Sequence, residues 1–119
     1  MRRSFILCAV AACSATTGCS EASAAGLDPS NPLHCAAQLE SYSIIARQQG
    51  DVTKDRGFGA RSQWYVDRAK SLGLDLTESA LINVEKRILA TADGGLALAT
   101  ECVKRQDADP DFRRLARRN

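Results

Sequence analysis

From residue 30 onward the apolar positions recur at helical spacing, and no stretch shows the strict alternation of a half-buried strand. Cys35, Leu39, Tyr42 and Ala46 stack on one stripe, while Leu33, Ala37 and Ile44 make a second, weaker one. Ser30-Asn31-Pro32 places a capping side chain before a proline that has no N–H to leave unpaired, and Gly50 supplies a stop. A first helix is therefore expected over 32–49. Residues 50–57, Gly-Asp-Val-Thr-Lys-Asp-Arg-Gly, are polar and bounded by glycines, and they read as a loop. A second helix is expected over 58–72, ended by Gly73, with Phe58, Tyr65, Ala69 and Leu72 on its buried face. Trp64 lies about 100° from Tyr65 on that helix, off the buried stripe and beside Arg61 and Arg68.

Asp75-Leu76-Thr77-Glu78 opens a third helix, with a capping residue followed by a carboxylate in the first turn. Ala80, Leu81, Ile82, Val84, Ile88, Leu89 and Ala92 span an arc of about 200°, wide enough to mark this as the central helix. Asp93-Gly94-Gly95 interrupts it, since each glycine costs ~1 kcal/mol in a helix interior. The apolar phase resumes through Leu96, Leu98, Ala99, Cys102 and Val103, so either a kink or two helices is expected. Asp109-Pro110 starts a short last helix with Phe112 and Leu115 on its apolar edge and Arg113, Arg114, Arg117 and Arg118 at its basic end. The expected fold is all-α: a small bundle of four to five helices over residues 32–119, preceded by a linker over 26–31.

The first residues follow a different pattern. Met1-Arg2-Arg3 is a positive start, residues 5–13 are moderately apolar, and Ala22-Ser23-Ala24-Ala25 offers small residues for cleavage, which reads as a signal peptide over 1–25. Thr16-Thr17-Gly18-Cys19 resembles the lipobox of bacterial lipoproteins. On that alternative the signal is 1–18, Cys19 carries the lipid, and the chain is tethered to the outer membrane. Either route places the remaining chain in the periplasm or outside the cell.

Export changes the cysteine arithmetic. Of the five cysteines, Cys8, Cys13 and Cys19 leave or are modified with the leader, and Cys35 and Cys102 remain as an even pair in a compartment that permits disulfides. A Cys35–Cys102 disulfide is expected to staple the bundle.

Charge and composition narrow the chemistry. With 16 Lys plus Arg against 14 Asp plus Glu, the chain lacks the basic excess that nucleic-acid binding needs. The one histidine, His34, neighbours Cys35, but a disulfide sulfur is no nucleophile and adjacent helical residues point about 100° apart. One histidine and two distant cysteines do not make a zinc site, and no G-x-S-x-G elbow occurs. No enzyme activity, metal or cofactor is expected. Among the carboxylates only Glu85 stands out: its direction falls inside the apolar arc of the third helix, so a buried ion pair with Arg47 or Arg68 is expected there. Trp64 with Arg61 and Arg68 has the composition of a contact hot spot.

Leu33-His34-Cys35-Ala36-Ala37-Gln38-Leu39 and Ala99-Thr100-Glu101-Cys102-Val103, each carrying half of the expected disulfide on a helix, resemble the small periplasmic acid-stress chaperones of the HdeA type. The arrangement is similar, on equal grounds, to small disulfide-bonded immunity proteins paired with periplasmic effectors. The resemblance covers two short segments and implies compartment and fold more than activity. The expected function is that of an exported, non-enzymatic helical domain acting by contact with a protein partner; the alternative is a periplasmic acid-stress chaperone.

Overall fold

The side chain of Asn31 accepts the N–H of Leu33 at 2.9 Å, and Pro32 follows as the first helical residue, so the first helix starts where the capping pattern places it. In the computed structural model of the chain, which describes residues 26–118, this is α1, Pro32–Gln48. Four more helices follow among the described residues: α2 Val52–Ser71, α3 Glu78–Leu89, α4 Leu96–Ala108 and α5 Pro110–Arg118. The fold is an all-α bundle. The proposed leader, with Cys19, lies outside the described residues.

The centre of the bundle is α1, not the third helix. Cys35, Ala36, Ala37, Gln38 and Leu39 are consecutive and all buried, so α1 is enclosed on every side at this level, and it packs against α2, α3 and α4. Its small residues hid this from the apolar pattern. Alanine and serine add little to a hydrophobic stripe, yet they let neighbouring backbones come close. In α3 only Val84 and Ile88 are buried; Ile82 is 40% exposed and Leu89 80%, because α3 leans mainly on α1 and its wide apolar arc has too few neighbours to cover it.

Residues 52–57, expected as loop, form the first turns of α2. Asp51 caps that helix by accepting the N–H of Lys54 at 3.0 Å, so only Gln49, Gly50 and Asp51 join α1 to α2. The two run antiparallel, as three contacts demonstrate. The Ser43 hydroxyl donates to the Asp55 carboxylate, Arg47 pairs with Asp55 at 3.1 Å, and farther along the buried Ser62 hydroxyl donates to the Ala36 carbonyl at 2.9 Å. The Arg47 guanidinium, helped by the Ser43 hydroxyl, holds the Asp55 carboxyl below its usual range. Gly59 sits in this seam, where a Cβ would stand 3.4 Å from Ser43 Oγ.

Cys35 of α1 and Cys102 of α4 are disulfide-bonded, with Cα atoms 5.6 Å apart. Around this staple α2 is tied to α4 by polar groups. The buried Tyr65 hydroxyl donates to the Cys102 carbonyl, and the fully buried Gln106 amide donates to the Arg61 carbonyl at 3.0 Å while accepting from the Arg61 guanidinium at 2.8 Å. Between α3 and α4, Thr91 to Gly95 form the break that Asp93-Gly94-Gly95 predicts. The Asp93 carboxylate accepts from the N–H groups of Gly95 and Ala97 and starts α4.

Residues 26–31 pack against the core instead of forming a free linker. Leu27 is buried, the Pro29 carbonyl lies 3.3 Å from Cys35 Sγ, and Arg87 of α3 donates to the Gly26 carbonyl at 3.0 Å.

Candidate contact surface

Trp64 and Tyr65 are neighbours on α2 with different fates. Tyr65 turns into the core, whereas Trp64 is half-buried at the edge, and the rings meet edge to face with centroids 5.0 Å apart. One turn on, the Arg68 guanidinium lies over the Trp64 ring at 5.0 Å. Arg61, one turn back, does not stack on Trp64. It lies over Phe112 of α5 at 5.1 Å, and Phe112 in turn meets Trp64 edge to face at 5.7 Å. The four side chains form one continuous row, Arg61, Phe112, Trp64, Arg68, in which each cation covers one ring.

The same two arginines tie α2 to the end of α4 and to the corner where α5 begins. Arg61 pairs with Asp107 at 2.9 Å and Arg68 with Asp109 at 3.4 Å. Asp109 also caps α5 by accepting the N–H of Asp111 at 2.8 Å, so the position of α5 depends on the cations that flank Trp64. No residue of α5 is buried, and Trp64 lines two depressions, one on each side of its ring. One, about 330 Å³, lies toward Pro29, Pro32, Tyr65 and Arg105; the other, about 460 Å³, opens between α2 and α5. Sequence reasoning placed Trp64, Arg61 and Arg68 together but missed Phe112, whose local signal showed only an apolar edge after Asp109-Pro110.

Glu85 does not belong to a buried pair. It is partly exposed and forms no salt bridge among the described residues; Arg47 is engaged by Asp55 and Arg68 by Asp109. The cause is the narrow buried face of α3. Glu85 lies about 100° from Val84, toward the exposed Leu89.

His34 and Cys35 likewise point apart. Cys35 holds the disulfide, while His34 Nδ1 accepts the backbone N–H of Asp28 at 2.9 Å. Burial lowers the pKa of His34, the nearby Arg87 lowers it further, and Asp28 opposes both. Among the described residues no group of three or more potential ligands could hold a metal ion, and no helix is long and apolar enough to cross a membrane. The chain matches no protein-family model, no curated protein and no solved structure.

Proposed function

We propose that this chain is an exported, non-enzymatic helical domain of the bacterial periplasm that works by protein contact, through the surface centred on Trp64. The observation that carries this reading is the row Arg61, Phe112, Trp64, Arg68 beside an open groove. Aromatic and arginine side chains fixed by mutual stacking give a partner large contact area with little rotamer entropy left to lose. Export is supported by the leader pattern and by a disulfide that suits an oxidising compartment. An unidentified protein is the expected partner, and a lipid on Cys19 would add a membrane tether.

The test is retention of a partner from periplasmic extract at neutral pH on disulfide-intact protein. One specific protein should be retained by the unaltered chain and lost with Trp64→Ala, whose helical circular dichroism should stay unchanged. Retention undiminished by Trp64→Ala argues against this surface. Turnover of any substrate that survives both His34→Ala and Glu85→Gln defeats the non-enzymatic reading.

A second reading, a periplasmic acid-stress chaperone, is favoured by one specific contact. The Asp28 N–H that ties residues 26–31 to α1 is donated to Nδ1 of a neutral His34, and that acceptor is lost when the imidazole takes up a proton. A chaperone should bind an apolar dye and suppress client aggregation on acidification with the disulfide intact. A dedicated contact module should do neither.

A further inference from the structure

Residues 26–31 are held to the bundle by two fastenings and an apolar plug. The Asp28 N–H donates to His34 Nδ1 at 2.9 Å and the Arg87 guanidinium donates to the Gly26 carbonyl at 3.0 Å, so the segment is pinned to α1 at one point and to α3 at another. Leu27, between the two, is 5% exposed and belongs to the same cluster of core side chains as Cys35, Cys102, Val84 and Ile88. Just beyond it, the Pro29 carbonyl lies 3.3 Å from Cys35 Sγ. Both cysteines are fully buried, and this short segment supplies part of their cover. Its outer edge, Pro29 and Ser30, borders the smaller of the two depressions at Trp64, so solvent already stands beside it.

One proton acts on both fastenings. The Nδ1 acceptor exists only in a neutral imidazole; a protonated ring presents an N–H there and meets the Asp28 N–H head on. The charged groups that act on the ring are Arg87 from α3 and the Asp28 carboxylate from the segment itself, while the Asn31 amide, 3.5 Å from Nε2, is neutral. The Asp28 carboxylate already accepts the N–H and hydroxyl of Ser30 at 2.9 and 2.7 Å. Protonation of His34 therefore breaks one fastening and sets a like charge near Arg87, the donor of the other. We propose that residues 26–31 form a proton-released strap, whose lifting opens the Cys35–Cys102 disulfide to a reductant.

The opening follows from linkage. His34 resists protonation while the strap is closed and is solvated once it lifts, so the open fraction rises as the pH falls below 6.5, by at most about tenfold per pH unit. It levels off when the closed form also takes the proton. Only the strap moves and the helices stay formed, which makes this a local opening and not unfolding. The release needs neither the contact surface nor a client, so it is independent of both functional readings; partner retention and apolar-dye binding test those separately.

The rate of disulfide reduction by a water-soluble phosphine reads the opening. The phosphine attacks one sulfur and is oxidised, water supplies its oxygen and the two protons, and both sulfurs are released as thiols. The intact chain and His34→Gln are compared at each pH from about 7 down to about 5, so that the reagent's own pH dependence cancels. The ratio of the intact rate to the variant rate should climb severalfold as the pH falls. Arg87→Ala and Leu27→Ala, which loosen the strap by other means, should each speed reduction severalfold already at neutral pH, with helical circular dichroism unchanged. In low urea the rate should rise with a slope well below that of global unfolding, because little surface is exposed. A rate ratio that stays flat across the range overturns proton control and with it the proposal. A urea slope equal to that of global unfolding, or reduction that neither Arg87→Ala nor Leu27→Ala accelerates, overturns the strap as the cover of the disulfide.

Discussion

The backbone N–H of Asp28 donates to Nδ1 of His34, which requires an unprotonated nitrogen at that position. The imidazole in the folded chain is therefore neutral, with its proton on Nε2. Burial and Arg87 hold its pKa below the ordinary 6.5, so between pH 6.5 and that lowered value the unfolded chain binds a proton that the folded chain does not. Stability contributed by His34 is full above pH 6.5, falls as the pH drops through this window, and levels off below it. His34→Gln keeps an acceptor for Asp28 and should flatten the dependence of the denaturation midpoint over that window. An unchanged slope in the variant would show that His34 does not titrate with folding. Asp28, Asp55 and Asp93, held low by hydrogen bonds and cations, add acid sensitivity only below about pH 3.8, so the two effects separate on the pH axis.

Tyr65 sets the alkaline limit. Burial pushes its pKa up to about 12 from the ordinary 10, so the unfolded chain releases the phenolic proton first and stability is lost as the pH rises from 10 to 12. Tyr65→Phe should remove that alkaline loss. It should also cost about 1 kcal/mol at neutral pH, through the missing hydrogen bond to the Cys102 carbonyl. Difference titration of phenolate absorbance between the two proteins reads the pKa directly; a difference centred near 10 contradicts the placement of this side chain.

Gly95 and Gly94 make a controlled pair. Both have positive φ, at +87° and +64°, so alanine strains either by about 1 kcal/mol. Only at Gly95 does a Cβ collide, 2.5 Å from Oε1 of the fully buried Gln38, whose carbonyl oxygen has no hydrogen-bond partner among the described residues. Gly95→Ala should destabilise more than Gly94→Ala by urea titration, and Gln38→Ala in the same chain should narrow the gap. Equal costs would mean that Gln38 does not press on the turn.

The Cys35–Cys102 bond joins residues at a sequence separation of 67, for which chain entropy gives about 4 kcal/mol. Reduction under native buffer should lower the thermal midpoint sharply. Thiol labelling of denatured, unreduced protein should find no free thiol at Cys35 or Cys102, and labelling at both would overturn the pairing.

The sequence disclosed what was local. Asn31 and Pro32 announce α1, Thr77 announces α3, and the spacing of Arg68 from Trp64 places one over the other because both belong to one helix. The start of α2 was illegible for two reasons: its first turn is exposed and polar, with Val52 turned to solvent, and Gly57 and Gly59 count against a helix. What holds it is the Asp55 clasp to Ser43 and Arg47, a tertiary fact. Glu85 misled in the opposite direction, since an apolar arc reveals what a helix offers and not how much of it a neighbour covers. Phe112 joined Trp64 through the folded path of α4 and α5, which no spacing encodes.

Site-specific photocrosslinking in intact cells tests the central claim most directly. A photoreactive side chain placed at Leu115, beside the Trp64 row, is compared with one placed at Leu89, which is 80% exposed on α3. The contact-module account predicts a discrete protein adduct from position 115 that disappears with Trp64→Ala, and none of that mass from position 89. Indistinguishable adducts from both positions, or none from 115, would contradict it.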